Sequence, residues 1–289
     1  VRTTHTHSGY YVPHQSYWPI GGSIGLFITM VGLANMLNGA WNSSVMLLGA
    51  GILVFMMIGW FGTVVREAES GMYNDQVDYS FRWGMGWFIF SEVMFFAAFF
   101  GALFYARQFS LPWLAGEAGR PLTHDVLWSS FEYLWPSNGP ADIGGRFQPM
   151  GAWALPTINT VILLSSGATV TWAHWGLLNN NRRQLIIGLA ATVFLGFLFV
   201  YLQATEYVHA YQDLNLQLDT GIYGNTFYML TGFHGMHVTI GAIILLVILL
   251  RSIRGHFTPQ RHFAFEAAAW YWHFVDVVWL GLYTFVYLL

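Results

Sequence analysis

Seven long apolar stretches dominate the chain: Ile20–Ala40, Ser44–Val65, Trp83–Ala106, Leu155–Trp175, Leu185–Thr205, Phe227–Leu250 and Ala267–Leu289. A helix that crosses a bilayer needs about 20 apolar residues. Each stretch meets that length, and within all seven only Glu92 and Asp276 carry a formal charge. Hydrocarbon imposes this partition, because a charge at mid-depth costs several kcal/mol. The stretches are too long and too uniformly apolar for strands of a membrane barrel. The expected fold is all-α: a polytopic membrane protein with seven transmembrane helices.

Composition excludes other classes. Charged residues make up 9% of the chain, against about a quarter in soluble domains. All 11 basic residues are Arg, too few for a nucleic-acid footprint. Cysteine is absent, which removes thiolate metal sites, iron–sulfur clusters and disulfides. The first 19 residues lack an apolar core, so no cleaved signal peptide is expected.

Loop charges orient the helices. Arg2, Arg66, Arg82, Arg182, Arg183, Arg251, Arg254 and Arg261 fall on one side of a seven-span arrangement. Arg107, Arg120 and Arg146 fall on the other, all in one long loop. Positive charge stays inside, so the N-terminus is expected in the cytoplasm and the C-terminus outside. The polar linker 66–82 divides the chain into residues 1–70, with the first two helices, and residues 71–289, with the other five. The long loop 107–154 is external and rich in Pro, Gly and Trp.

Few residues can carry chemistry. Glu92 lies about ten residues into its span, roughly 15 Å deep at the helical rise. An intramembrane carboxylate is functional by default, and proton handling is the first expectation. It should react with a hydrophobic carbodiimide more readily than Glu117 does. The alternative is a carboxyl that only ties helices together. His234 and His237 are spaced i, i+3 on one helix, and His273 and Asp276 repeat that spacing on another. Were the two faces to meet, four ligand-type groups could converge on a metal. Hydrogen bonding across helices is the commoner fate of such groups. Arg66-Glu67, just past the second span, could grip a lipid phosphate through the guanidinium fork, or form a surface ion pair of little worth. Gly21–Gly25 and Ala97–Gly101 are small-xxx-small pairs that permit close helix contact. At this level a proton or solute transporter and a non-redox subunit of a larger complex both stay open.

Several motifs then resemble one family, cytochrome c oxidase subunit III, over almost the whole chain. They are Val12-Pro13-His14 with Tyr17-Trp18-Pro19; Arg66-Glu67; Phe81-Arg82-Trp83-Gly84-Met85 with Ser91-Glu92-Val93-Met94-Phe95-Phe96; Leu155-Pro156-Thr157-Ile158-Asn159-Thr160; and Thr171-Trp172-Ala173-His174. Gln203-Ala204-Thr205-Glu206-Tyr207, Tyr223-Gly224-Asn225-Thr226-Phe227 and Thr231-Gly232-Phe233-His234-Gly235-Met236-His237-Val238 follow. Phe265-Glu266-Ala267-Ala268-Ala269 and the specific run Trp270-Tyr271-Trp272-His273-Phe274-Val275-Asp276-Val277-Val278-Trp279 complete the set.

The resemblance implies a non-redox subunit of the proton-pumping oxidase that passes electrons from cytochrome c to dioxygen. It implies a chain that binds no haem or metal, with haem a, haem a3, CuA and CuB held in other subunits. Direct packing on subunit I, company with subunit II, and phospholipids in a V-shaped cleft between the two-helix and five-helix parts are further implications, as is support of proton uptake. Glu92 takes the place of the family's carbodiimide-reactive carboxylate. Arg66, Glu67 and Trp60 become the expected lipid-binding residues. His234, His237, His273, Asp276 and Glu206 become an expected buried polar network. The chain also departs from animal members. Met72-Tyr73 stands where they carry a His pair, Gly62-Thr63 replaces an Arg-Asp pair, and Trp175 replaces a second His. The loop 107–154 is longer than theirs, which favours a bacterial inner membrane with a periplasmic C-terminus; the mitochondrial inner membrane is the alternative.

Overall fold

The computed structural model describes Tyr11, residues 15–117, Gly119 and residues 121–289. Arg2, Arg120 and the Val12-Pro13-His14 motif lie outside the described residues. All regular structure among the described residues is helical, apart from one isolated bridge between Thr258 and Arg261. The long helices are α1 (Trp18–Leu37), α2 (Ser44–Glu69) and α3 (Asp75–Tyr105), then, after the short α4 (Leu111–Leu114) and α5 (Pro121–Leu127), α6 (Leu155–Leu178), α7 (Arg182–Asp213), α8 (Gly221–Arg254) and α9 (Phe263–Leu282). A π-helical turn follows α3 at Ala106–Ser110, and another follows α9 at Tyr283–Leu288.

Among the described residues, six helices are long and apolar enough to cross a membrane: α1, α2, α6, α7, α8, and α3 with its continuation to Leu114. The expected count of seven is therefore six on this criterion. The difference is α9, where Trp270, Tyr271, Trp272, His273 and Asp276 depress the hydropathy. Trp and Tyr favour the membrane interface, and His and Asp resist hydrocarbon, whereas aliphatic side chains enter it readily. Several helices run past the apolar stretches. α3 begins with Asp75 and Asp78, and Arg82 Nε donates to Asp78 Oδ2 at 2.7 Å one turn on.

The chain forms two compact units, residues 1–83 and 84–289, whose boundary falls inside α3. In the first unit α1 and α2 form an antiparallel hairpin. Their backbones meet at two glycines. A Cβ on Gly32 would lie 2.4 Å from the Met46 amide nitrogen, and one on Gly49 would lie 2.4 Å from that of Thr29. The Gly21–Gly25 pair faces the Met56, Ile52 and Leu53 side chains instead. Large apolar side chains such as Phe27, Phe55 and Ile58 point outward. In water such a surface would be an aggregation liability; in a bilayer it is the solvent-facing side.

The second unit packs around α9. Trp272 is fully buried, seated where Cβ atoms on Gly196 of α7 and Gly241 of α8 would stand. Its indole donates to Ser166 Oγ of α6 at 2.9 Å. Trp279, also fully buried, donates to Thr160 Oγ1 at 2.9 Å and meets Phe199 edge-on. Tryptophan brings a large apolar body, but its N–H needs an acceptor where no water competes. α6 and α7 close against each other where Gly188 meets Ala173 and Gly176 meets Gln184 and Leu185. Gly255, at φ +80°, ends α8 in the left-handed region that glycine adopts without strain. Gly101 of the second small-residue pair faces open space.

Candidate functional site

Glu92 and His237 come together. Glu92 is held mid-way along α3 and His237 on α8, and Oε2 of the first lies 2.9 Å from Nε2 of the second. Nδ1 of His237 lies 2.6 Å from the carbonyl of Phe233, one turn back on its own helix. A carbonyl only accepts, so Nδ1 carries a hydrogen and Nε2 is the atom left for Glu92. Phe96 presents its edge to the imidazole, and Tyr271 stacks on it at 19° between planes. One proton lies between carboxyl and imidazole. Either the acid donates to a neutral ring, or an imidazolium donates to a carboxylate. The pair is electrically neutral in both forms, which is how two ionisable groups are kept together in a low-dielectric setting.

The other expected polar residues do not join this pair in a single network. Glu206 of α7 is fully buried, and its Oε1 accepts from the Tyr287 hydroxyl at 2.7 Å. His234, fully buried, has Nε2 3.2 Å from the Val275 carbonyl and a ring beside Trp279. His234 and His237 share a helix face, yet one turns to α9 and the other to α3. His273 is not buried: its side chain is 46% exposed, with Nε2 3.3 Å from Thr171 Oγ1. Asp276 is buried, its Oδ2 3.6 Å from His273 Nδ1 and only 2.4 Å from where a Cβ on Gly167 would stand. The spacing i, i+3 places two residues on one side of a helix, but near the edge of that face one side chain looks inward and its neighbour outward.

A different group of ligand-type side chains converges. His174 near the end of α6, His262 at the N-cap of α9 and Glu266 in its first turn offer ligand atoms within 4.8 Å of one another. Glu266 Oε1 stands 3.1 Å from His262 Nε2 and 3.9 Å from His174 Nε2. The donor types suit a borderline divalent ion. His174 and Glu266 appear in the motifs above, but His262 does not, and only the packing of α6 against α9 unites the three.

In the first unit the expected lipid residues divide. Arg66 and Glu67 are consecutive in the last turns of α2, so they project about 100° apart and do not pair. Arg66 is exposed, and its Nη2 donates to Thr63 Oγ1 at 3.2 Å. Thr63 also accepts from the Trp18 indole at 3.2 Å and donates to the Gly59 carbonyl at 3.0 Å. The Trp18 ring occupies the place of a Cβ on Gly59, where any larger residue would displace it. Glu67 accepts at Oε2 from the Tyr73 hydroxyl at 2.8 Å. Burial, and then that bond, push the Tyr73 phenol above its ordinary value, so it stays a donor throughout the physiological range. Trp60 is exposed and stands on the Glu67 side of α2, two turns away. Thr63, Tyr73 and Trp18 are the participants that side-chain type alone does not single out.

An all-helical chain with six helices apolar enough to cross a membrane among the described residues, and with Glu92 and His237 paired between two of its helices, defines a polytopic membrane subunit or carrier. Comparison with known proteins decides between them. The family model described as cytochrome c oxidase subunit III matches residues 7–122 and 126–289. Relatives named cytochrome c oxidase subunit 3 include those of Gadus morhua, 39% identical over 98% of both chains, and Dugong dugon, 40% identical over 98% of both. That of Drosophila melanogaster is 40% identical over 99% of this chain and 98% of its own. The chain belongs to the cytochrome c oxidase subunit III family, and is thus a subunit of an oxidoreductase complex.

Proposed function

We propose that this chain is a supporting subunit of cytochrome c oxidase that owns no redox centre. It packs on subunit I, keeps company with subunit II, holds phospholipid, and assists proton uptake by the complex. The observation that carries this reading is the Glu92–His237 contact between α3 and α8. A neutral pair at mid-depth holds two helices together and also holds one exchangeable proton. Haem a, haem a3, CuA and CuB belong to the partner subunits in this reading, and electrons arrive there from cytochrome c.

Arg66 is the phosphate ligand in the lipid part of the reading. Its guanidinium is exposed at the end of α2, at the depth where headgroups lie, and offers donors beyond the one Thr63 takes. The N-terminus is cytoplasmic or its organellar equivalent, by the distribution of Arg. The long loop 107–154 favours a bacterial inner membrane, whereas the animal relatives favour the mitochondrial inner membrane.

Purification through an affinity tag on this chain tests the central claim. The expected result is a complex with the absorption of haem a that consumes oxygen, in which the separated chain holds neither iron nor copper. Stoichiometric metal on the separated chain would overturn the reading. So would substrate flux through the isolated chain in liposomes, which a transporter predicts.

A further inference from the structure

The last turns of α2 place a cation and an anion side by side in sequence but give them separate partners. Glu67 is taken up by Tyr73, at 2.8 Å. The Tyr73 ring is itself held on two edges, by Tyr11 at 5.5 Å and Phe81 at 5.2 Å between centroids. The phenol is therefore a rigid donor rather than a wandering one. Arg66 is braced by Thr63, one turn back on the same helix, which Trp18 and the Gly59 carbonyl hold in place. Among the described residues no carboxylate pairs with Arg66.

We propose that Tyr73 is a positioning residue of the phosphate site at Arg66: by holding the Glu67 carboxylate it keeps a competing negative charge off the guanidinium fork. This inference rests on the lipid reading of Arg66 and names what makes that site selective for an anion. A carboxylate next in sequence to a phosphate-binding arginine is a liability. Left without a partner, it can swing toward the guanidinium and repel an incoming phosphate oxygen. A phenol bound to one of its oxygens offsets part of the charge and fixes its rotamer. The shared ligand chemistry is a phosphate monoanion, carried by a lipid headgroup or by free phosphate.

The test uses the purified, delipidated oxidase complex titrated with phosphatidylglycerol in mixed micelles, reading bound phosphorus per haem a. Arg66→Ala should abolish the Arg66-dependent fraction. Tyr73→Phe keeps the ring and removes the hydroxyl, and should weaken retention about threefold to tenfold, part of what a hydrogen bond to a charged group contributes. Glu67→Gln combined with Tyr73→Phe should restore wild-type retention, because the charge that Tyr73 restrains is gone. A ring that merely packs would show no such rescue. If Arg66→Ala changes nothing, the lipid reading fails and takes the inference with it. If Arg66→Ala acts but Tyr73→Phe does not, or Glu67→Gln fails to rescue, the inference alone is overturned. A parallel titration with inorganic phosphate separates the sources. Displacement of the lipid at equal concentration would make the free anion the ligand and refute the lipid reading, with the double variant still deciding the role of Tyr73.

Discussion

Oε2 of Glu92 lies 2.9 Å from Nε2 of His237, while the Phe233 carbonyl claims Nδ1 at 2.6 Å. The imidazole is thereby oriented, and the carboxyl is left with one partner of defined chemistry. Carbodiimides attack the protonated acid, so the form in which Glu92 donates to a neutral ring is the reactive one. Mass spectrometry after labelling should find Glu92 modified and Glu117 spared. Glu92→Gln can still donate to Nε2 and should preserve assembly while abolishing the label. His237→Leu strands the carboxyl and should cost about 0.6–2 kcal/mol, the range for hydrogen bonds between membrane helices. Loss of this chain from the complex in detergent, read on a gel, checks that difference.

Gly167 is where Asp276 finds its room, since a Cβ there would stand 2.4 Å from Oδ2. Gly167→Ala should destabilise the α6–α9 seam by about 1–3 kcal/mol through overpacking. Combining it with Asp276→Ala removes the obstructing oxygen and should recover part of the loss. Thermal release of this chain from the complex, followed for both variants, measures the coupling.

The α1–α2 hairpin should respond to alanine by position and not by residue type. Gly32→Ala and Gly49→Ala would drive a methyl group into the backbone of the facing helix, and should separate the hairpin. Gly51→Ala and Gly62→Ala meet nothing within 4 Å and should be neutral or slightly stabilising, since alanine is the better helix former. Protease sensitivity of the connection at residues 38–43 in the intact complex would report the difference.

Tyr287 gives Glu206 its hydrogen bond at 2.7 Å inside the second unit. Tyr287→Phe leaves a buried carboxyl without that donor, and should cost about 1–3 kcal/mol. Tyr287→Phe with Glu206→Leu replaces both partners by apolar groups of similar shape, and should cost less than the single change. A double-mutant cycle on thermal release gives the coupling directly.

Much of the architecture was legible because hydrocarbon leaves a chain few options. Seven apolar stretches located the long helices, although α3 begins eight residues before its stretch and α7 ends eight residues after its own. α9 was the exception on hydropathy, since its tryptophans and Asp276 serve the interior of the second unit rather than lipid. The site residues were legible as types but not as partners. Glu92 and His237 are 145 positions apart, and nothing in their local spacing says that α3 and α8 meet there. The i, i+3 repeat suggested that His234, His237, His273 and Asp276 act together, but it only defines a helix face. The way each helix rotates against its neighbours sent those groups to separate partners. Tyr73 drew notice as a departure from a histidine pair; its tie to Glu67 became visible only in three dimensions.

The sequence by itself determined that this chain is helical, lives in a bilayer, and belongs among oxidase subunits, because apolar length and motif order are properties of the chain alone. Only the tertiary structure decided which buried acid faces which base, which glycines admit a tryptophan or a neighbouring backbone, and why Arg66 stands apart from Glu67. Those are matters of distances across helices. Distances across helices are set by packing, which periodicity along one helix does not encode.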